Sequence, residues 1–327
     1  VKTEFLKITS LGSDKIKNLD INQENVLTQI TSQIIKTGIW KNLKFKRYDL
    51  NAPTTPVHIG KRHPLREILE EIREIFVSMG FIEIDGNIIE SSFWNFDVLF
   101  QPQDHPARDM QDTFYLDLPK SEINLDKKLV KNIKQTHMNG WKTGSTGWGG
   151  NWNISEASKP VLRTHTTVRT IKNLYEKGDI PQKSFLIGNV FRNEKVTYKN
   201  TSEFHQIDGV VIDQSTTLRQ LMGIVKHFYS KLGLNEVKFW PSYFPYTEPS
   251  IQGSAYVKKL GRWVELCGMG VFRPEVTLPL GIKSPVLAWG GGVERIAMLR
   301  YDLNDIRDFY KNDLGFLRRS PKRPQLK

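Results

Sequence analysis

The chain has a single cysteine, Cys267, among 327 residues. One thiol cannot close a disulfide within the chain, and it cannot supply the paired thiolates of a cysteine-based zinc site. Long apolar runs are missing as well. Nothing in the sequence approaches the roughly 20 consecutive apolar residues that cross a bilayer, and no secretory leader pattern stands at its start. Together these absences predict a cytoplasmic location. Acid is scarce relative to base: 47 Lys and Arg face 35 Asp and Glu, for a formal net charge of +12. That surplus suits a polyanionic partner such as RNA, though charge alone raises the odds only modestly. The length leaves room for one large domain and a smaller appendage.

Residues 1–50 differ in texture from the rest of the chain. The stretch from Val26 to Ile35 reads as a helix, and Trp40 to Tyr48 is basic and aromatic. Asn51-Ala52-Pro53-Thr54-Thr55-Pro56 reads as a linker, because closely spaced prolines oppose regular structure. From His63 the pattern sharpens. Leu65, Ile68, Leu69, Ile72, Ile75, Phe76 and Met79 recur at helical spacing, with Pro64 at the start and Gly80 as a stop. Phe81-Ile82-Glu83-Ile84 then alternates as a strand.

Later strands are expected at Ser184–Phe191, Gly209–Ile212, Val237–Trp240, Trp263–Cys267 and Val286–Trp289. They are short, bounded by turns and mostly not separated by crossover helices. The expected fold is therefore α+β, an antiparallel sheet flanked by helices, in preference to a doubly wound parallel sheet. Cys267 reads as a small core residue of one strand. Trp141, Trp148 and Trp152 sit among glycines in the stretch 140–152. They read as ties holding a loop down, in preference to stacking platforms for RNA bases.

Three segments carry the chemistry. They are Phe191-Arg192-Asn193-Glu194, Glu203-Phe204-His205-Gln206-Ile207-Asp208-Gly209 and Gly290-Gly291-Gly292-Val293-Glu294-Arg295. Each puts charged groups at the edge of an apolar run, where a sheet or helix holds them rigidly. Arg192 and Arg295 can thus converge on one polyanion, and arginine grips phosphate bidentately at every relevant pH. The glycines lead directly into Val293–Leu299, read as a helix, where a nucleotide can approach the backbone closely.

Further motifs lie in order along the chain. They are Asn95-Phe96-Asp97, His105-Pro106-Ala107-Arg108-Asp109, Arg163-Thr164-His165-Thr166-Thr167 and Phe244-Pro245-Tyr246-Thr247-Glu248-Pro249. Through them, from about His63 to Leu317, the chain resembles the catalytic α subunits of phenylalanyl-tRNA synthetases of the archaeal and eukaryotic cytosolic type. Phe191–Gly209 is similar to the second signature motif of class II aminoacyl-tRNA synthetases, and Ala288–Met298 to the third. The Pro64–Ile84 helix and strand are similar to the first, which builds a subunit interface; Gly86-Asn87 stands where the bacterial branch usually carries Gly-Pro.

The resemblance implies a class II catalytic fold that attaches L-phenylalanine to tRNA(Phe) through a phenylalanyl-adenylate, with ATP as substrate and Mg²⁺ as cofactor. It also implies a β subunit, which carries editing, in an (αβ)₂ heterotetramer, and no membrane partner. Arg192 should hold the α-phosphate and the incoming carboxylate, Arg295 should cover the adenine, and Glu194 should meet the adenine amino group. Asn200 stands where the family usually has His, and keeps an amide for ATP. Glu248 matches a Mg²⁺ position.

Phenylalanine should lie among His165, Thr167, Gln206, Ile207, Asp208, Phe244, Tyr246 and Phe272, with Ala288 at the para edge of the ring. Asp208 replaces the usual Glu, one methylene shorter, and should reach the ammonium directly or through a water. His205 reads as a structural hydrogen-bonder, and no His/Cys/Asp cluster points to zinc.

Activating a carboxylate on ATP needs no enzymic nucleophile, only positioning and charge neutralisation. The motifs agree: they offer arginines and acids with no prominent nucleophile–base pair. Expected boundaries are 1–56 for an N-terminal appendage and linker, 57–317 for the catalytic domain and 318–327 for a basic tail broken by Pro321 and Pro324. The tail reads as solvated chain. The appendage is too short for the full set of winged-helix tRNA-binding modules that precede this domain in the family. A remnant, a reduced version and a shortened one stay open. Two rival readings remain: a sister class II ligase for phosphoserine or pyrrolysine, and a synthetase-like RNA or partner binder without catalysis. The Phe244-Pro245-Tyr246 slot argues against the first, and the presence of Arg192, Glu248 and Arg295 against the second.

Overall fold

The helical repeat that begins at Pro64 folds as expected. In the computed structural model the helix spans Pro64–Ser78, with His63 Nδ1 accepting from Leu65 N at its start and Gly80 in the left-handed region (φ +79°) just past its end. Proline at the first turn loses no hydrogen bond, and glycine beyond the last turn adopts positive φ without strain. The structure describes residues 9–17, 26–47, 49–50, 52, 60–109, 112–118 and 126–324. The chain divides into two compact units, Val1–Gly60 and Lys61–Lys327.

In the first unit the strand Val26–Leu27 pairs in parallel with Lys44–Phe45. The expected helix from Val26 is therefore shorter and later, Ser32–Thr37. Thr31 caps it, its hydroxyl accepting from Ile34 N at 3.4 Å. A threonine with extended backbone starts a helix in preference to lying inside one, which moves the boundary. None of that helix is buried. Tyr48 and, apart from Ala52, the expected linker Asn51–Pro56 lie outside the described residues.

In the second unit the main sheet has seven strands among the described residues. In spatial order they are Ile82–Glu83, Gln182–Phe191, Glu203–Ile212, Val286–Gly292, Arg262–Phe272, Thr247–Val257 and Val237–Pro241. The last six pair antiparallel with one another. Ile82–Glu83 joins the edge in parallel with Ser184 and Phe185, so the sheet is mixed rather than purely antiparallel. A parallel partner needs a long crossover, and the roughly hundred intervening residues supply it.

Alternation along the central strands splits the apolar residues between two cores. Ile207, Val211, Leu287 and Trp289 face the helices Pro64–Ser78 and Leu218–Lys231. Val210, Ile212, Val286 and Ala288 face the other way, towards Phe93, Leu99, Ile133 and the helix Thr167–Lys177. Two of the three tryptophans of the 140–152 loop tie it down. Trp148 stacks on Phe100 at 4.9 Å and donates from Nε1 to its carbonyl, and Trp152 donates to Asp97 Oδ1 at 2.6 Å. The tail expected to be solvated chain is instead held through Pro324. Its Arg323 pairs with Glu74 at 2.7 Å, and the Arg323 backbone N–H donates to Glu67. Two opposed charged side chains on the first helix and the tail outweigh the disrupting prolines.

Gly209 lies opposite Trp289 in the sheet, and a Cβ there would meet the indole at 2.2 Å. The indole cannot yield, because Phe76 stacks on it at 5.7 Å and Phe81 meets it edge-on at 5.3 Å. Gly209→Ala should therefore destabilise the fold by about 1–3 kcal/mol through overpacking. Urea unfolding of the variant checks this, and an unchanged midpoint would contradict it.

Candidate active site

The face of the sheet opposite the first helix carries a cavity of about 440 Å³. Its floor is the pairing of Gln206, Ile207 and Asp208 with Gly292, Gly291 and Gly290. Alternation sends Gln206 and Asp208 into the cavity and Ile207 into the opposite core, so Ile207 supports the floor and does not line it. The glycines matter sterically. A Cβ on Gly290 would meet Asp208 Oδ2 at 2.8 Å and Gln206 Nε2 at 2.9 Å. The strand runs through Gly292 directly into the helix Val293–Tyr301, whose N-terminus has no side-chain cap.

At the inner end stand Phe244, Tyr246, Phe272 and Ala288. Phe244 and Tyr246 do share one side of their segment, their rings near parallel at 5.9 Å. Tyr246 meets Phe272 edge-on at 6.4 Å. Gly268 makes the room, since a Cβ there would touch Phe244 Cζ at 2.6 Å. Burial beside Asp208 pushes the Tyr246 hydroxyl up to about 12, so it stays protonated at neutral pH.

Asp208 is 3% exposed and its carboxylate accepts from the hydroxyls of Thr167, at 2.6 Å, and Thr170, at 3.0 Å. Burial raises its pKa to about 7, against the weaker opposing pull of those hydroxyls. Among the described residues no cation pairs with it. Gln206 Oε1 beside it is buried without a hydrogen-bond partner. Gln206 Oε1 thus lacks a donor and Asp208 a countercharge, and a cationic donor such as an ammonium would supply both.

The outer end carries charges of both signs, Arg192, Lys199 and Arg295 with Glu194, Glu265 and Glu294. Arg192 stands 5.2 Å from the Phe204 ring centre, donates from Nε to Thr164 O at 3.4 Å and lies 4.0 Å from Glu194. Glu194 accepts from the Asn200 amide at 3.0 Å, so the position that departs from the family holds a neighbouring acid in place. Arg295 donates to the Glu265 carbonyl at 2.9 Å. Behind them Glu294 Oε1 accepts from His205 N, from His205 Nδ1 and from Tyr310 OH, which makes His205 a structural hydrogen-bonder.

Besides Ile207, two residues of the expected site lie outside the cavity. His165 does not line it: the ring gives Nε2–H to Asn95 O at 2.9 Å, and burial next to Arg192 pushes its pKa down to about 4. Glu248 is exposed on the strand Thr247–Val257 and also does not line it. Glu265, Lys199 and Phe204 do line it and were not singled out from the sequence. Glu265 had a readable signal, an acid inside the apolar run Trp263–Cys267. Among the described residues no group of three His, Cys, Asp or Glu could hold a metal by itself. No helix there is long and apolar enough to cross a membrane.

The cavity thus sits on a helix-flanked mixed sheet, with Arg192 and Arg295 in its lining and glycines in its floor. Residues 47–320 match the family described as tRNA synthetases class II core domain (F), and the chain belongs to that family. The phenylalanine–tRNA ligase alpha subunit of Archaeoglobus fulgidus is 50% identical over 306 residues, 94% of this chain and 64% of that protein. The same subunit of Methanopyrus kandleri is 47% identical over 97% of this chain and 61% of its own length. The chain thus spans a little under two thirds of these curated relatives. A crystal structure of pyrrolysyl-tRNA synthetase from Desulfitobacterium hafniense aligns with a TM-score of 0.54 at 16% identity, covering 77% of this chain and 75% of that one. That likeness concerns the fold.

The raised pKa of Asp208 has a consequence for stability. Its folded value, about 7, exceeds the reference 3.8, so between these values the folded chain holds a proton that the unfolded chain has lost. This group's contribution to stability therefore falls as pH rises from about 4 to about 7 and is level above that. His165, with its pKa lowered to about 4 from 6.5, works in the opposite direction. The difference between wild type and Asp208→Asn isolates the Asp208 contribution. Relative to the variant, wild type should lose stability across this window, as read by chemical denaturation at several pH values. Parallel curves would contradict the assignment.

Proposed function

We propose that this cavity activates L-phenylalanine with ATP and transfers it to tRNA(Phe), as the catalytic α subunit of a phenylalanine–tRNA ligase. The observation that carries the reading is a buried Asp208 without a countercharge and a buried Gln206 Oε1 without a hydrogen-bond partner, beside an aromatic slot at one end of a cavity that carries Arg192 and Arg295 at the other. The slot takes a phenyl ring, the acceptors take the α-ammonium, and the substrate carboxylate then points towards Arg192. One carboxylate oxygen attacks the α-phosphorus, the bond to the β-phosphate oxygen breaks, and pyrophosphate leaves.

Arg192 neutralises charge on the α-phosphate and carboxylate, and Arg295 covers the nucleotide from the opposite wall. Glu194, held by Asn200, faces the adenine amino group. Magnesium is held in such sites by one or two carboxylates plus substrate phosphates, so a trio of acids is not required. Glu265 fits that requirement inside the cavity better than Glu248, which lies outside it. The ion supplies charge neutralisation on the leaving pyrophosphate.

A hydrophobic slot rejects an added hydroxyl only about a hundredfold. An editing partner is therefore expected; the alpha-subunit names of the relatives support a β subunit, and we propose an (αβ)₂ assembly acting in the cytoplasm. The net charge of +12 is consistent with tRNA as the second substrate.

Phenylalanine-dependent ATP–pyrophosphate exchange by this chain with its β subunit tests the reading. Arg192→Ala and Arg295→Ala should each lower the exchange rate by roughly 10²–10³-fold, as for the loss of a charge-stabilising donor. No exchange with any amino acid would overturn the proposal. Ala288, 5% exposed, limits the para edge of the slot. Ala288→Gly should admit para-substituted phenylalanines in the same assay, and unchanged selectivity would refute that placement.

A further inference from the structure

Two threonines one helical turn apart grip the same buried carboxylate. Thr167 gives its hydroxyl to Asp208 Oδ2 and Thr170 gives its own to Asp208 Oδ1. Residues three apart share a face of the helix Thr167–Lys177, so both hydroxyls point at the sheet. Their environments differ. Thr167 lines the cavity, whereas Thr170 does not and is 0% exposed.

A threonine inside a helix ordinarily gives its hydroxyl to a backbone carbonyl one turn back. That option is present here, with Thr167 O at 2.9 Å, yet the Asp208 oxygen lies at 3.0 Å from the same hydroxyl. With an ammonium bound Asp208 is ionised, and a charged acceptor draws the proton more strongly than a carbonyl does.

The second hydroxyl matters because of how aspartate rotates. The χ2 torsion of Asp is broad, so one hydrogen bond leaves the carboxylate plane free to swing. Two bonds, one to each oxygen, fix that plane. Gly290 leaves the Oδ2 side open, since a Cβ there would stand only 2.8 Å from that oxygen. Asp208 is also shorter than the Glu usual at this position in the family it resembles. Its oxygens have less reach, and their direction counts for more.

We infer that Thr170 is a positioning residue for amino-acid recognition: by holding Oδ1 from behind, it aims Oδ2 of Asp208 at the α-ammonium of the substrate. This rests on the reading of the cavity as a phenylalanine site. Thr170 touches no substrate, and its effect is confined to ligands that carry an ammonium group.

The test uses the chain assembled with its β subunit, with Thr170→Val removing the hydroxyl at constant shape and Thr170→Ser restoring it. Exchange kinetics give KM for phenylalanine and for ATP. Two competitive inhibitors separate the groups recognised: phenylalaninol has the ammonium without the carboxylate, and 3-phenylpropionate has the carboxylate without the ammonium. Thr170→Val should raise KM for phenylalanine and Ki for phenylalaninol by roughly tenfold or more, the loss of a hydrogen bond to a charged group. KM for ATP and Ki for 3-phenylpropionate should stay as in wild type, and Thr170→Ser should return the first two towards wild type. Equal weakening of both inhibitors, or of neither, in a complex whose wild type is active overturns the inference alone. A wild-type complex that activates no phenylalanine overturns the underlying reading together with the inference.

Discussion

Gly290, Gly291 and Gly292 stand in register with Asp208, Ile207 and Gln206, and side chains from only one of the two strands occupy the space above that pairing. The polar pair Gln206 and Asp208 can lie there because Gly290 contributes no Cβ against them. On the reverse side a Cβ on Gly291 would meet the Leu266 carbonyl at 2.5 Å, so the neighbouring strand also depends on the missing side chain. The aromatic slot, the acceptor pair and the charged end with its two arginines are all placed relative to this floor. The helix that presents Arg295 starts where the floor ends.

Burial of Asp208 and the polarity of the cavity are two sides of one design. A carboxylate in an apolar slot without a cation is costly, and its pKa rises in response. Binding an ammonium supplies the missing charge and draws the group back to its ionised form. On the proposed reading, the slot favours an amino acid over an equally apolar ligand without the amine. At the far end Arg192 is partly exposed and Arg295 exposed, and under the same proposal both guanidiniums meet phosphate.

Much of this was legible in the sequence, for identifiable reasons. The helix Pro64–Ser78 declared itself by spacing, and the strand Val286–Gly292 by an apolar run, though its glycines extended it three residues past the expected end. The strand Thr247–Val257 was not anticipated: Ser250, Gly253 and Ser254 interrupt the apolar alternation, and pairing on both sides supplies the stability instead. Glu203–Asp208 extends the expected strand at Gly209 by six mostly polar residues, because side chains that serve a cavity do not look like strand core. The same alternation separates Gln206 and Asp208 from Ile207, a distinction that motif resemblance does not make. His165 and Glu248 matched motifs in sequence yet point elsewhere, since a motif fixes residue order and not side-chain direction.

The central claim is that one cavity holds the ammonium, ring and nucleotide of a single adenylate. The most direct measurement is a crystal structure of the chain with its β subunit and a non-hydrolysable phenylalanyl-adenylate analogue. The account predicts the ammonium within hydrogen-bond distance of Asp208 Oδ2 and Gln206 Oε1, the ring against Tyr246 and Phe272, and the adenosine beside Arg295. An analogue bound with its ammonium in solvent, or with its ring outside the Phe244–Tyr246 slot, would contradict it.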